Sequence, residues 1–417
     1  MRNAYGGRTL LLGGPPCQSY SLVGRARNAG IPEYDADKDA RQSLYLEYAT
    51  ALRLFRPAVA VMENVKGILS ARHNGEPVFP VVMESLRNAG GTGQYFLFGL
   101  ASEASGKSWH DGLRPKDFLV RAEVHGVPQT RHRVFVVCIR RDIAAALPIE
   151  FLPRLDPIEP VPDVDDVIGN MPLLRSRLSR SDCGVTWQCA LRAAYESVLH
   201  HRPSMGREED TRFLRALGRA FTSTQGTPLP YVGGAGGTAI GDSCPVDLRN
   251  WLSDPKLTRL PNNETRGHIP ADLTRYLFAQ AFSYAFRRSP RAADFPVALA
   301  PKHANWNSNK FTDRFRVQLP DGPSATITSH LSKDGHYFIH PDPRQCRSLT
   351  VREAARLQTF PDNYFFEGRR TQQYVQVGNA VPPYLARQIA LQVAQVFEYQ
   401  SRTYRRARRR VRVGDLG

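Results

Sequence analysis

The first third of the chain alternates short apolar, β-branched runs with stretches of helical periodicity, and this alternation constrains the fold more than any other feature. Residues 9–12 and 58–62 are typical of buried strands, and the segment 43–55 between them places leucine and aromatic residues along one side of a helix. Two further strands are predicted at 118–124 and 134–139. Such alternation is typical of a parallel sheet with crossover helices, so the sequence predicts an α/β fold.

The remaining two thirds of the chain are less regular. Between 173 and 347 the periodicity weakens, and one clear helix is predicted at 271–286. The pair Asp334-Gly335 is well suited to a tight hairpin turn between two short strands. Helices are predicted again at 350–359 and 383–399, and the arginine-rich end of the chain is predicted to be a mobile tail.

The charge balance indicates a polyanionic partner. Lysine and arginine number 56 against 39 aspartate and glutamate, a formal net charge of +17. Nucleic acid is the first candidate, although a ribosome-like or purely structural basic protein would carry the same charge. No apolar stretch approaches the ~20 residues that cross a bilayer, and the first residues lack the apolar core of a secretion signal, so we expect a cytoplasmic protein. The six cysteines form no CxxC pair, which indicates reduced thiols and no zinc site.

One cysteine stands in an unusual place. Cys17 belongs to Gly13-Gly-Pro-Pro-Cys-Gln18, directly after the first apolar strand and before a polar loop. Open α/β sheets present reactive groups at the carboxyl ends of their strands, which makes Cys17 a candidate nucleophile. A single cysteine is most often only a packed thiol, so this hypothesis needs a partner residue.

Two other segments supply candidate partners. Glu63 follows the strand 58–62 and would lie beside Cys17 if the two strands are neighbours, although a helix-capping role is an equal alternative. Arg131 and Arg133 occupy alternate positions just before another strand. By themselves these arginines would be ordinary solvated charges.

Taken together and in this order, these segments resemble the DNA (cytosine-5) methyltransferase family. The match comprises the Pro-Cys-Gln loop at Cys17, the Glu-Asn-Val strand end at Glu63 and the Gln-x-Arg-x-Arg turn at 129–133, and it continues in segments 347–362 and 377–383. These are five motifs in family order over nearly the whole chain.

The resemblance implies a Rossmann-like methyltransferase sheet, with its N-terminal strands missing, and a smaller, irregular target-recognition domain. The division that follows is a first part of the catalytic domain at 1–150, a linker at 151–172, the target-recognition domain at 173–347, a second catalytic part at 348–400 and a basic tail at 401–417.

The resemblance also implies the chemistry. The Cys17 thiolate would add to C6 of a cytosine that is flipped out of duplex DNA, so that C5 can attack a methyl sulfonium. Glu63 would donate or share a proton at N3, and Arg133, with Arg131, would hold the carbonyl of the base, orient Glu63 and favour the thiolate.

S-adenosylmethionine is the implied cofactor. The residues expected to contact it are Pro16, Asn379, Ala380 and Val381. The residues expected to contact DNA are Gln18, Ser21, Arg41, Lys302, Lys310 and Arg314.

The sequence departs from the family pattern at its beginning. The family starts with a strand and a Phe-x-Gly-x-Gly turn that hold much of the cofactor, whereas this chain opens at the strand that leads into Cys17. The glycine-rich segment 231–237 lacks the flanking strand and helix and is interpreted as a loop. We therefore expect either a cytosine methyltransferase of bacterial DNA modification or phage defence that needs a missing segment or a second polypeptide, or a noncatalytic DNA-binding remnant or subunit. An RNA-methylating relative is a weaker third alternative.

Overall fold

A computed structural model of the chain describes residues 8–15, 44–73, 75–101, 107–302, 306 and 312–414. The chain forms two compact units. Unit 1 comprises residues 1–125, 132–158 and 385–417, and unit 2 comprises residues 126–131 and 159–384. The predicted division into catalytic and recognition domains is one of function and stays a prediction.

The strands and helices of the described residues follow each other in this order along the chain. The strands are β1 (Leu10–Gly13), β2 (Val59–Val65), β3 (Arg72–His73), β4 (Glu76–Pro77), β5 (Tyr95–Phe98), β6 (Leu119–Arg121), β7 (Gln129–Thr130), β8 (His132–Arg140), β9 (Arg177–Leu178), β10 (Gly267–His268) and β11 (Ser324–Ala325). The α-helices are α1 (Leu44–Phe55), α2 (Val78–Arg87), α3 (Arg141–Ala144), α4 (Val164–Ile168), α5 (Gly184–His200), α6 (Arg207–Thr222), α7 (Val246–Leu252), α8 (Pro270–Phe286), α9 (Val351–Leu357), α10 (Arg370–Asn379) and α11 (Pro383–Gly414).

Unit 1 is built on a mixed sheet. Its strand order is β1-β2-β8-β5, and β6 also pairs with β8. The first pair, β1 with β2, is parallel as predicted, but β8 runs antiparallel to β2, β5 and β6. Apolar runs such as those of β2 and β8 predict burial on both faces, and they do not specify strand direction. The α/β class is confirmed, and the expectation of a wholly parallel sheet is wrong.

Helices α1 and α2 cover one face of this sheet. Leu52 of α1 and Phe79 of α2 are fully buried in the same apolar cluster as Met62 of β2 and Val136 of β8. Removing each such side chain from water contributes about 1.5–3 kcal/mol. This packing fixes the position of β2, and with it the two polar residues near the end of that strand.

Unit 2 has a helical core. Helices α5, α6 and α8 pack around buried Trp187, Phe213 and Tyr276. The predicted helix at 271–286 is confirmed as α8, whereas α5 and α6 were missed in a region expected to be irregular. A signal for α6 was present, because Phe213, Ala216, Leu217 and Ala220 follow helical spacing and are all buried.

One local prediction is wrong, and the tail that was predicted to be mobile is helical. The segments beside Asp334-Gly335 do not form a hairpin, since β11 pairs with β7 and residues 329–332 form a 3-10 helix. The turn signal is local, whereas the strand pairing is decided by residues almost 200 positions away. The arginine-rich tail continues helix α11 as far as Gly414.

Candidate active site

Glu63 and Arg133 form an ion pair at one end of the unit 1 sheet. Arg133 of β8 lies opposite Val65 of β2, and Glu63 is two residues before Val65. Successive side chains alternate between faces, so this register places Glu63 and Arg133 on the same face as diagonal neighbours. The distance from Arg133 Nε to Glu63 Oε1 is 3.1 Å.

The residues before Cys17 reach this ion pair. Gly13 at the end of β1 lies opposite Met62, which brings Gly14 beside Glu63. A Cβ atom at Gly14 would lie 3.1 Å from Glu63 Oε2, so a larger residue would press on the carboxylate. The Asn64 side-chain amide also donates to the Pro15 carbonyl oxygen at 3.5 Å. β1 and β2 are therefore neighbours, as the prediction for Glu63 required, and the position of Cys17 beside Glu63 stays a prediction.

Several predicted site residues lie outside the described residues. They are Pro16, Cys17, Gln18, Ser21, Arg41 and Lys310. The described segment that leads toward Cys17 ends at Pro15, and the next described residue is Leu44.

The Glu63–Arg133 pair is partly enclosed. The side chains of Arg133 and Glu63 are 17% and 24% exposed, which leaves both groups within reach of a ligand. Burial lowers the pKa of the Arg133 guanidinium, and the Glu63 carboxylate opposes that effect. A carboxyl group held by a fixed cation next to a backbone turn can exchange a proton with a bound base and can orient it.

Arg131 belongs to unit 2 and has different contacts. It is 3% exposed, and its guanidinium donates to the carbonyl oxygens of Ile327 at 2.8 Å and Gly378 at 3.3 Å. These bonds tie the Gln-x-Arg-x-Arg turn to the segment that precedes Asn379. Contact of Arg131 with a base stays a prediction.

A pair of glutamines holds the same segment from another side. Gln129 donates to Gln358 Oε1 at 2.5 Å, and Gln358 donates to the Ala380 carbonyl oxygen at 2.6 Å. Both glutamines are fully buried. Sequence reasoning missed this positioning role, although both residues stand inside the quoted motifs.

The Gly-Asn-Ala-Val segment is fixed by its backbone. At Gly378 a Cβ atom would overlap the backbone of Thr328 and Ser329, so the close approach requires glycine. Asn379 is exposed, and Ala380 and Val381 are half-buried. An exposed amide on a clamped backbone fits one part of a cofactor site.

Segment 347–362 forms a buried charged scaffold. Arg347 pairs with Glu353 at 2.5 Å, Arg356 pairs with Asp362 at 2.8 Å, and these four side chains are almost fully buried. Burial by itself would raise the pKa of Glu353, but Arg347 and His340 bring it down to about 2. The sequence identified this motif by resemblance and did not reveal that its charges pair with each other.

The described DNA-contact candidates are at the surface of unit 2. Lys302 is exposed, and the Arg314 guanidinium pairs with Asp334 at 3.0 Å. Their contact with DNA stays a prediction.

Comparison with known proteins agrees with this arrangement. The family model described as C-5 cytosine-specific DNA methylase matches residues 7–181 and 253–395. A type II methyltransferase of Bacillus paralicheniformis is 33% identical over 389 residues, which cover 93% of this chain and 70% of that protein. The type II methyltransferases M.AgeI of Thalassovita gelatinovora and M.DdeI of Desulfomicrobium norvegicum are 26% and 25% identical, and the matches cover 91% and 93% of this chain and 81% and 73% of those proteins.

These matches define the chain as a DNA methyltransferase. The chain belongs to the C-5 cytosine-specific DNA methylase family. The predicted family is thereby confirmed. Within the described ranges, no helix combines the length and the apolar content that a membrane span needs.

Proposed function

We propose that this chain methylates C5 of a flipped cytosine in duplex DNA, through a covalent bond between Cys17 and C6, as part of a bacterial modification or defence system. The observation that carries the proposal is the Glu63–Arg133 ion pair, which lies against Gly14 at the entrance to the Cys17 loop. In this arrangement a nucleophile (Cys17), a proton donor (Glu63) and a cation (Arg133) would all act on the same cytosine.

Cys17 begins the reaction. Its thiolate forms a bond to C6 and breaks the C5–C6 double bond, and a proton at N3 compensates the charge that enters the ring. C5 then has enamine character and would bond to the methyl group as the bond between that methyl group and the donor sulfur breaks. Loss of the C5 proton to solvent, return of the N3 proton to Glu63 and departure of the thiolate then restore the double bond and the neutral ring. The positive charge of Arg133 favours the thiolate if the Cys17 loop returns toward β2.

Glu63 serves N3. Its carboxyl group donates or shares the proton there, and Arg133 keeps the carboxyl group in position through the 3.1 Å contact.

S-adenosylmethionine supplies an electrophilic methyl group when it is bound. In this proposal Asn379, Ala380 and Val381, together with Pro16, hold part of it. The support is the backbone clamp of Arg131 and Gln358 on this segment, which leaves the Asn379 side chain exposed.

The first test is a covalent trap. Fluorine at C5 is not released in the way that the proton is. With S-adenosylmethionine and a polypeptide that carries the Phe-x-Gly-x-Gly strand both present, DNA of mixed sequence that carries 5-fluorocytosine should therefore form a complex with the chain that survives denaturation. Cys17→Ser should abolish this complex, and Cys183→Ser, a change at an exposed cysteine, should leave it intact. A complex that persists in Cys17→Ser removes Cys17 from the nucleophile role.

The second test concerns Glu63. Glu63→Gln should retain DNA binding and lose about 10²–10⁴ in the methyl-transfer rate. Glu84→Gln alters a half-exposed ion pair with Arg87 on α2 and should transfer methyl groups normally. Normal turnover of Glu63→Gln would make Glu63 a structural residue.

A noncatalytic DNA-binding subunit is the second candidate function. The +17 charge favours DNA binding whether or not the chain reacts. DNA binding without a covalent complex, in the presence of both S-adenosylmethionine and the polypeptide with the Phe-x-Gly-x-Gly strand, would select this alternative.

The proposal includes a further strand beside β1. In the described part of the chain β1 pairs with β2 alone, and Leu12 is 66% exposed. An open edge of this kind accepts another strand, from a second polypeptide or from residues not described. Calorimetry should then show weak binding of S-adenosylmethionine that tightens when a polypeptide with a Phe-x-Gly-x-Gly strand is added. Micromolar binding by a monodisperse monomer would contradict this part of the proposal.

A further inference from the structure

Unit 2 contains a polar cavity that has no role in the proposed catalytic steps. Its volume is about 350 Å³, and its lining includes Arg259, Asn263, Glu264, Gly368 and Arg370. It lies between the loop segment 258–264 and the beginning of helix α10.

The start of a helix faces this cavity. Arg370 is the first residue of α10, and Gly368, with φ +85°, turns the chain into the helix. The first N–H groups of a helix have no partner within the helix, and the helix dipole makes this end positive. Both effects favour an anion.

A second, independent feature of the cavity also favours an anion. Asn263 is 4% exposed, and its Nδ2 has no hydrogen-bond partner in the described part of the chain. Its Oδ1 accepts a hydrogen bond from the Thr350 hydroxyl at 2.9 Å. The Thr350 hydroxyl itself accepts from Glu353 N, so it donates to Asn263, and the atom left over is a donor.

The charges of the lining are unequal. Glu264 is paired with Arg370 at 2.5 Å and with Arg177 at 3.5 Å, so its charge is already compensated. Arg259 is exposed and forms no ion pair among the described residues. Its charge is therefore available to a ligand.

The glycine-rich segment 231–237 closes the site. Gly233 donates its N–H to the Asn263 carbonyl oxygen at 2.9 Å, and a Cβ atom at Gly233 would lie 2.7 Å from Asn263 Nδ2. Gly236 donates to Thr258 at 2.9 Å, on the segment that carries Arg259. The glycines thus allow the two segments to approach closely around the cavity.

We propose that this cavity binds a phosphate group, and that the phosphate belongs to the backbone of the DNA substrate. The proposal rests on the proposed function for its ligand and on the cavity for its chemistry. Arg259 and the start of α10 would hold the phosphate, with the unpartnered Asn263 amide in the same lining, and would so position the duplex on unit 2 without reading a base.

The test compares two variants with opposite expected effects. Arg259→Ala should weaken duplex binding about tenfold and lower the slope of log K against log salt by about 0.9, the value for one lost phosphate contact. Glu264→Gln removes a negative charge and releases Arg370, so duplex binding should become several-fold tighter. Both residues are at the surface, and equal thermal unfolding temperatures will show that the variants are folded.

Arg202→Ala is the matched control. The Arg202 side chain is also at the surface, where it pairs with Asp210, and it lies outside the cavity. An equal loss of slope in this control would show a nonspecific charge effect and would overturn the proposal, as would unchanged duplex binding by Arg259→Ala in a chain that still methylates DNA.

Titration with inorganic phosphate separates the sources of the ligand. Millimolar or weaker binding of free phosphate, with the full Arg259 effect on DNA, supports the backbone phosphate. Tight phosphate binding that does not compete with DNA would assign the cavity to a free anion and overturn the proposal. A chain that forms the covalent complex but shows no Arg259 effect refutes this inference alone, whereas a chain that binds neither DNA nor phosphate refutes the proposed function as well.

Discussion

The buried ion pair between Arg347 and Glu353 should be essential for the stability of unit 2. Glu353→Gln keeps the shape of the side chain but leaves Arg347 buried without a counterion. The pKa of Glu353 lies at about 2 instead of 4.5, and at about 1.4 kcal/mol per pKa unit the charged form is favoured by roughly 3 kcal/mol in the folded state. Removing one partner of a buried pair costs about 3–5 kcal/mol, which agrees with this value.

Urea unfolding followed by tryptophan fluorescence measures this effect, because Trp187 is fully buried in unit 2. The carboxylate has a depressed pKa in the folded state, so its contribution is present above pH 4.5 and is lost as the pH falls toward 2. The difference between wild type and Glu353→Gln should therefore be constant near pH 7 and shrink below pH 4.5. Glu208→Gln, in an exposed pair with Arg212, should cost at most about 0.5 kcal/mol. A loss below about 1 kcal/mol for Glu353→Gln at pH 7 would refute the reasoning.

Two further predictions concern pH and a glycine. Burial lowers the pKa of His340 to about 4, so the unfolded chain binds this proton more readily, and the free energy of unfolding should fall by up to roughly 3 kcal/mol as the pH drops from about 6.5 to 4. Urea unfolding at pH 7 and pH 5 checks this, and equal stability at both values would contradict it. Gly378→Ala should lower the thermal unfolding temperature and reduce the rate of methyl transfer at least tenfold, because the added Cβ overlaps Thr328 and Ser329. Gly218→Ala on α6 places its Cβ in open space and should stabilise the chain by about 0.5–1 kcal/mol. Equal effects of the two alanines would show that the crowding at Gly378 is relieved at little cost.

The neighbourhood of Glu63 could be predicted because it depends on local signals. An apolar strand, a helical segment and a second apolar strand predict parallel neighbours, and their register brings Gly14 to Glu63. The antiparallel entry of β8 could not be predicted in this way, because a run such as 134–139 looks the same in both directions.

The contacts that fix the other motifs depend on residues far apart in the chain. The base contact that the resemblance implies for Arg131 stays a prediction. The contacts that the structure shows for Arg131 are to Ile327 and Gly378, almost 200 and 250 positions away. The unpaired donor of Asn263 is equally invisible in the sequence, because it follows from the orientation of one amide against Thr350. Periodicity and spacing report local geometry, whereas these contacts are set by packing.

The distant contacts also make the motifs interdependent, and this can be measured. Ile327 N–H donates to Gln129, Gln129 donates to Gln358, and Gln358 donates to Ala380, so one chain of hydrogen bonds crosses three motifs. Gln129→Ala and Gln358→Ala should each cost about 1–3 kcal/mol, since each leaves buried groups unpaired. The double variant should cost about 1 kcal/mol less than the two separate losses together, because the second alanine removes a group that the first has already left without its partner. Urea unfolding of the four proteins gives this coupling energy. The same cycle with Gln188 of α5 in place of Gln358 should be additive, because Gln188 donates to the Ser223 and Gly226 carbonyl oxygens and shares none of the partners described for Gln129. Additive losses for Gln129 and Gln358 would mean that the two glutamines stabilise their neighbours independently, and the motifs would then not be coupled through them.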